Sequence, residues 1–432
     1  MGSEGEVSRV HSAGMRSPIL LALLSLTIAI ATSANAQIGA LGVMGDSLSD
    51  EYFEESYGTY ATNWVQQLVV YRGVNVGPTA AAAGQPGGTW GSPRRTGYEF
   101  NWALSGDTSA NLLSDGQDTG LAAQVVPFGI THAVLAIGAN DFNPDFLSYP
   151  SSAYSPVYNG SWSTAQISNY VAQTLTNIET ALATVVTTGV DMVLFNVLDY
   201  GKTPAVYNNF LYTTGSKRER VSAVIGQVNN GLVFLAQKWQ VPLVDAFGLQ
   251  KAIFGSNTNL QSTLSIGNVA IHLQQSDSNP TNSPNRTAAF VADGAHPHTT
   301  IQGLFANMAL EAVLLGYGTQ ASLFTEQEIL SHAGVAYGGT DTLMVQIGSY
   351  TNYIILPIRP KVTALGFIGG NLQLGFTTVS KQSYRVEKTD DLAAPNWTLL
   401  TNNVAGTGGV VPVSDPNAAG ISQRFYRVRQ LP

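Results

Sequence analysis

The stretch Ile38-Gly39-Ala40-Leu41-Gly42-Val43-Met44-Gly45-Asp46-Ser47-Leu48-Ser49 lies near the amino end of the chain. An apolar run that stops at a glycine is typical of a buried strand leading into a turn. Ser47 is then at the carboxyl end of a strand, where open parallel sheets build their sites. Its hydroxyl is available there for chemistry, although a serine at a strand end more often forms a turn or caps a helix.

Similar apolar runs alternate with helix-like segments as far as about residue 330. We predict strands at 38–44, 133–137, 190–198 and 241–244, and helices at 59–71, 164–188, 215–239 and 300–315. Strands that alternate with helices indicate an α/β fold with a parallel sheet covered on both faces. Two further stretches are interpreted as long loops because of their composition: 73–99, rich in Gly, Pro and Ala, and 256–285, rich in Asn, Ser, Gln and Thr.

The pattern changes after about residue 340. Short alternating segments appear, such as 372–376 and 384–387, and turn clusters separate them. This pattern predicts a small all-β, sandwich-like module. We therefore expect a larger domain at 37–335, a linker or the first strands of the second domain at 336–360, and the β module at 361–432.

The amino terminus resembles a secretion signal. Arg16 precedes an apolar run at 19–31, and Ala34-Asn35-Ala36 follows as a small-x-small cleavage site. The run is short for a membrane span. We expect a signal peptide at 1–36 and a secreted or periplasmic protein with no transmembrane span after cleavage. Residues 1–14 are interpreted as an extension, since either Met1 or Met15 could be the start.

Composition excludes several classes of function. The net charge is −8, only 11% of the 432 residues are charged, and there is no cysteine. An acidic chain without a basic stripe is not expected to bind nucleic acid, and the lack of cysteine excludes thiolate metal sites and a cysteine nucleophile. Nucleotide-binding glycine motifs and a His-Glu-x-x-His motif are also missing, so we predict no cofactor and no metal.

Asp293-Gly294-Ala295-His296-Pro297 is the second stretch that could carry chemistry. The glycine and the proline indicate a loop, in which the Asp293 carboxylate can fold back onto the imidazole of His296. A carboxylate in that position holds the ring in one tautomer and stabilises the imidazolium. The alternative, an aspartate that caps the turn beside a histidine that only packs, is equally compatible with this short motif.

Two more blocks could supply hydrogen-bond donors to an oxyanion. Asn140 lies in Gly138-Ala139-Asn140-Asp141, after a predicted strand, and Gly106 ends the loop segment 101–106. A side-chain amide and a glycine N–H are the donors that an oxyanion hole requires. Taken singly, both blocks are ordinary turns.

The order Ser, Gly, Asn, Asp-x-x-His resembles the SGNH hydrolases, also called GDSL esterases and lipases. The resemblance rests on Gly45-Asp46-Ser47-Leu48, Gly106, the block around Asn140 and the block 293–297, and it covers about residues 37–320. It implies a three-layer α/β/α, flavodoxin-like fold. The long, polar segment 256–285 departs from the pattern. The lack of a Gly-x-Ser-x-Gly motif argues against the α/β-hydrolase fold.

The resemblance also implies roles for five residues. Ser47 attacks the ester, His296 moves the proton, and Asp293 orients His296. The oxyanion donors would be the N–H groups of Ser47 and Gly106 and the side chain of Asn140.

We therefore expect a secreted carboxylic ester hydrolase of the esterase or lipase type, which acts through an acyl-enzyme. Its substrate would be a small-molecule, lipid or acylated-polysaccharide ester. The C-terminal module could contact glycan or the cell surface. Two alternatives stay open: an acyltransferase with the same triad, and an inactive glycan-binding or adhesion protein.

Overall fold

The computed structural model describes residues 38–144, 152–369, 371–380, 382–419 and 421–431. The signal peptide expected at 1–36 lies outside these residues, so it stays a prediction. Within the described part of the chain, no helix is both long and apolar enough to cross a bilayer.

Helices and strands alternate through the first three quarters of the chain. The helices are Trp64–Arg72 (α1), Ser109–Ser114 (α2), Gln117–Phe128 (α3), Tyr154–Asn159 (α4), Thr164–Val186 (α5), Pro204–Tyr207 (α6), Gly215–Trp239 (α7), Ala246–Phe254 (α8), Thr299–Tyr317 (α9), Glu326–His332 (α10) and Leu343–Ile347 (α11). The strands are Leu41–Gly45 (β1), His132–Ala136 (β2), Asp191–Phe195 (β3), Leu243–Val244 (β4), Gly255–Ser256 (β5), Asn259–Leu260 (β6), Thr263–Ile266 (β7), Val269–Ser276 (β8), Ala288–Phe290 (β9) and Ile354–Ile355 (β10).

The central sheet has the order β1-β2-β3-β4-β10. Strands β1 to β4 are parallel, and β10 pairs antiparallel with β4. Their near-continuous apolar sequences follow from burial on both faces of the sheet. Helices α3, α5 and α7 pack together on one face, and α1 packs on α9 on the other. The predicted three-layer α/β/α fold is confirmed.

Helix boundaries follow local capping chemistry. Asn63 and Gln66 form a capping box at the start of α1, and Ser163 and Gln166 form another at α5. Helix α9 is buried along almost its whole length because it is covered by α1 and α10 and contacts β3 and β4. Its apolar sequence therefore lacks the usual polar stripe.

The stretch 256–285 is not a single long loop, and that prediction was wrong. It contains β7 and β8, which pair antiparallel as a hairpin around Gly267 and Asn268. Both turn residues have positive φ, +58° and +59°, as a two-residue hairpin turn of type I′ requires. Apolar and polar residues alternate only briefly within this polar stretch, so the strands were not recognised from the sequence. Leu264, Ile266 and Ile271 are buried apolar residues of the hairpin.

The C-terminal part is all-β, as predicted. Its strands are Val362–Ile368 (β11), Asn371–Thr377 (β12), Ser383–Thr389 (β13), Thr398–Ala405 (β14), Val410–Asp415 (β15) and Phe425–Leu431 (β16). They form two antiparallel sheets, β11-β12-β15 and β14-β13-β16. A separate small core contains Phe376 from the first sheet against Tyr384 from the second, with ring centroids 5.6 Å apart.

The segment 336–360, expected to be a linker or the first strands of the second domain, holds α11 and β10. Strand β10 completes the central sheet, so this segment packs with the larger domain as far as residue 355. The domain boundaries themselves stay a prediction.

Candidate active site

Ser47 lies in a tight turn that begins where β1 ends. The Asp46 backbone carbonyl accepts hydrogen bonds from the N–H groups of Ser49 and Asp50, and its carboxylate accepts one from Leu48 N–H at 3.1 Å. Gly45 is required before this turn, because a Cβ there would lie 2.4 Å from the Ala136 carbonyl oxygen on β2. The sequence thus places the Ser47 hydroxyl at the carboxyl edge of the sheet.

His296 lies in a loop between β9 and α9. The loop closes through a backbone hydrogen bond from Val291 N–H to the His296 carbonyl, and Gly294 adopts φ +72° within it. One Asp293 carboxylate oxygen accepts the N–H groups of Ala295 and His296 at 2.8 and 3.0 Å. The other lies 2.6 Å from His296 Nδ1. The carboxylate therefore fixes both the loop and the ring.

The chain brings Ser47 and His296 together across 249 positions. His296 Nε2 lies 2.7 Å from Ser47 Oγ, within hydrogen-bond distance. A hydroxyl, an imidazole and a carboxylate thus form a continuous relay, which is the geometry by which a serine triad is recognised.

Two tyrosines that are not among the predicted site residues position the imidazole. Tyr57 stacks on the His296 ring, with centroids 5.3 Å apart and planes at 28°. Tyr52 meets the same ring edge-on at 6.2 Å, and its hydroxyl donates to the Pro297 carbonyl. Their position in the sequence, just after the Ser47 turn, is the signal that could have identified them.

The charges of the pair suit proton transfer. Burial lowers the pKa of His296, but the hydrogen bond and the negative charge of Asp293 outweigh it, so the pKa is raised above the usual value. Burial raises the pKa of Asp293, yet its hydrogen bond to His296 and the charge of that ring bring it below the usual value. Asp293 is therefore ionised near neutral pH and stabilises an imidazolium.

Ser47, Gly106 and Asn140, which carry the three predicted oxyanion donors, line the same cavity. The structure gives no acceptor within the described residues to the N–H of Ser47 or of Gly106. Asn140 donates one amide hydrogen to the Asp107 carbonyl, while its oxygen accepts from Asn143 and from the Tyr200 hydroxyl. These contacts fix the amide plane and leave its second hydrogen without an acceptor among the described residues. Such an arrangement can stabilise an oxyanion.

One cavity of about 260 Å³ joins all five residues predicted for the site. Its lining includes Ser47, Gly106, Asn140, Asp293 and His296, together with Glu55, Tyr57, Ser105, Asn143, Tyr200 and Ala295. No predicted site residue lies elsewhere in the fold. His298, two residues after His296, is the N-cap of α9 and accepts the Thr299 N–H through Nδ1.

A second, apolar cavity of about 50 Å³ adjoins the first. Both cavities share Tyr200, Ala295 and His296 in their walls. Its remaining lining is mostly aliphatic and aromatic and comes largely from α8, α9 and β9: Leu48, Ala139, Leu198, Asp199, Thr203, Leu249, Gln250, Ile253, Phe254, Phe290, Pro297, Ile301, Leu304 and Phe305. It can hold a small apolar group next to the imidazole.

The acidic residues after the Ser47 turn form a cluster. Oxygens of Asp50, Glu51 and Glu54 lie within 4.8 Å of one another. Arg95 forms ion pairs with Asp50 at 3.3 Å and with Glu54 at 2.9 Å. Burial raises the pKa of Asp50 to about 6 and that of Glu51 to about 8. Near neutral pH, Glu51 therefore keeps its proton and Arg95 balances the charge of its partners, which is unlike a prepared metal site.

Comparison with known proteins identifies the family of the chain. The profile of the GDSL-like lipase/acylhydrolase family matches residues 41–308, more than half of the chain. Among curated proteins, none matches the chain.

Several solved structures are similar in fold. An extracellular lipase from Streptomyces rimosus is 14% identical, with a TM-score of 0.33, and the match covers 66% of this chain and 100% of that one. An acetylxylan esterase from Geobacillus stearothermophilus is 12% identical, with a TM-score of 0.30 and coverage of 66% and 96%. A GDSL-like lipase from Bacteroides thetaiotaomicron is 13% identical, with a TM-score of 0.29 and coverage of 60% and 79%.

Proposed function

Because the chain belongs to the GDSL-like lipase/acylhydrolase family, we propose that it is a carboxylic ester hydrolase that works through a serine acyl-enzyme. The observation that carries the proposal is the relay from Ser47 Oγ to His296 Nε2 at 2.7 Å and from His296 Nδ1 to Asp293 at 2.6 Å. Each contact is short enough for proton transfer or for orientation of the ring.

The reaction takes place in two halves. His296 takes the hydroxyl proton as Ser47 Oγ bonds to the ester carbonyl carbon, and the carbonyl oxygen becomes negative. The N–H groups of Ser47 and Gly106 and the amide of Asn140 stabilise that charge. The carbon–oxygen bond then breaks, and the alcohol leaves with the proton from His296. A water molecule, deprotonated by His296, attacks the acyl-enzyme and releases the acid and free Ser47.

The apolar cavity favours a short acyl group. A cavity that holds benzene measures about 150 Å³, whereas the cavity beside His296 measures about 50 Å³. The alkyl parts of acetyl and propionyl groups fit this size, so the proposed substrates are short-chain esters, either of small alcohols or of acylated polysaccharides.

Secretion is part of the proposal because of the sequence at 1–36. Mass spectrometry of the protein from the producing host should find a mature chain that begins near Gln37 in the extracytoplasmic fraction. A full-length chain confined to the cytoplasm would contradict it.

A p-nitrophenyl acyl-chain panel from acetate to palmitate tests the activity. Wild type should hydrolyse the short esters, whereas Ser47→Ala should lose at least about 1,000-fold in kcat/KM. Ser114→Ala is the matched control, since Ser114 is exposed on α2 and away from the cavity. A fluorophosphonate probe should label Ser47 in wild type and in the control only.

Two outcomes would reject the proposal. No turnover of any ester together with binding to polysaccharide would indicate a binding protein. Acyl transfer to added glycerol that exceeds hydrolysis many times over would indicate an acyltransferase with the same acyl-enzyme.

A further inference from the structure

Another cavity lies apart from the Ser47 site and shares no lining residue with it. Its volume is about 770 Å³, within the range of about 300–1,000 Å³ for small-molecule sites. One wall comes from residues 186–191 and 238–241, just before β3 and β4, and the other from residues 359–360 and from β13 and β16. It therefore opens at the amino ends of the parallel strands, the edge opposite to Ser47.

The β13–β16 wall carries an unusual pair of like charges. Arg385 on β13 lies directly opposite Arg429 on β16, and the next pair on the same face is Glu387 with Arg427. Residues directly opposite in an antiparallel pair have adjacent side chains, and like charges there destabilise the sheet. Such a pair is stabilised when an anion lies between the two guanidinium groups.

The protein supplies too few carboxylates to balance these arginines. Glu387 is shared, with one oxygen 3.1 Å from Arg385 and the other 2.6 Å from Arg427. Arg385 Nε is buried without a hydrogen-bond partner. Arg429 is exposed and forms no ion pair within the part of the chain that the structure describes.

The opposite wall adds further positive charge. Lys238 and Arg359 line the same cavity, where Asp191 is the acidic lining residue. Lys238 is bound to Glu179, and Arg359 donates to the Gly316 carbonyl. Positive side chains thus outnumber carboxylates here, although the whole chain carries a net charge of −8. This excess of positive charge is confined to the cavity. It can therefore attract an anion to this site even though the protein as a whole is negatively charged.

We propose that this cavity binds the oxyanion groups of an acidic saccharide, with Arg385 and Arg429 as its main ligands. Guanidinium groups bind carboxylates and sulfates through paired hydrogen bonds. Because the N–H donors of a guanidinium group have a fixed planar arrangement, this binding is geometrically specific. A confined cavity suits one segment of a polysaccharide better than the extended basic stripe that a nucleic acid needs. The site holds a ligand at the opposite edge of the sheet from the triad, and its existence does not depend on the proposed ester hydrolysis.

The test is calorimetric titration of the full chain with three probes: trigalacturonate, a sulfated disaccharide and neutral maltotriose. Wild type should bind one or both anionic probes with a Kd below about 1 mM and should not bind maltotriose. The two anionic probes distinguish carboxylate from sulfate as the recognised group. Arg429→Ser and Arg385→Gln should each weaken the binding about 10- to 100-fold.

Lys251→Ser is the charge-matched control, because Lys251 is exposed on α8 and is not part of this cavity. It should leave the affinity unchanged. Arg429→Ser should not lower Tm, since it removes a like-charge contact, and it should leave ester turnover unchanged. No saturable binding of either anionic probe, or equal weakening by Arg429→Ser and Lys251→Ser, would overturn the proposal whatever the result of the ester assays.

Discussion

At the scale of single residues, the site depends on one carboxylate with two tasks. Asp293 closes the loop through one oxygen and holds the His296 ring through the other. Because the two tasks use different oxygens, an amide at this position can keep the loop while it loses the negative charge. The effect of the charge can therefore be measured separately.

Asp293→Asn should lower kcat/KM for short esters by about 1,000- to 10,000-fold, since the corresponding change in a serine protease costs about 10⁴-fold. It should also move the pH profile. His296 must be neutral to act as a base, and Asp293 raises its pKa. Without that charge the pKa falls, so the midpoint of the acidic limb should shift to lower pH. Asp391→Asn, an exposed control in the β module, should leave the profile unchanged; an unmoved midpoint in Asp293→Asn would contradict the assignment.

Asn140 offers a second test at this scale. Asn140→Ala should reduce kcat by about 100- to 1,000-fold, the usual effect of removing one oxyanion donor. KM should change far less, because the amide acts on charge that develops in the transition state. Steady-state kinetics on p-nitrophenyl acetate give both values. A loss confined to KM would show that Asn140 binds the ground state instead.

At the scale of secondary structure elements, the close contact of β1 with β2 sets the position of the Ser47 turn. Gly45 pairs with Ala136, and both polar groups of its backbone bond to the Gln117 side chain. There is no room for a side chain at this position. The end of the strand is therefore fixed by packing as well as by the turn that follows.

Gly45→Ala should destabilise the protein by about 1–3 kcal/mol, since the new methyl meets a backbone oxygen and not a flexible side chain. Gly226→Ala is the matched control, because Gly226 lies in α7 with open space around it. It should stabilise the protein by about 0.5–1 kcal/mol through helix propensity. Urea unfolding measures both; equal effects of the two substitutions would contradict the crowding at Gly45.

At the scale of the whole molecule, the central sheet includes β10, a strand that follows the last long helix, α9, in the chain. Ile354 and Ile355 pair with β4, and the Tyr353 carbonyl accepts the N–H of Asp245, which caps α8. Tyr350 is buried in the same core. The central sheet is thus incomplete until residue 355.

A chain that ends at residue 360 should therefore keep ester turnover, whereas one that ends at residue 349 should lose at least about 5 °C in Tm. The longer form retains β10 and Tyr350, and the shorter form exposes the edge of β4. Thermal unfolding and p-nitrophenyl acetate turnover of the two forms give the comparison. Similar stability of both would place the domain boundary before residue 349.

Sequence alone determined the alternation of strands and helices, because burial on both faces of a parallel sheet leaves long apolar runs at each strand. It also indicated the contact between Asp293 and His296. These residues are only three positions apart, so a single short loop can bring their side chains together. The hairpin at 263–276 escaped prediction because its alternation is short and lies within a polar stretch.

Only the tertiary structure decided that Ser47 and His296 meet, across 249 positions, and that Tyr57 stacks on the imidazole. The same is true of Arg385 and Arg429, whose pairing depends on strand register. Contacts between distant segments are set by how whole elements pack and by the register of strands, and neither is encoded in any one stretch of residues.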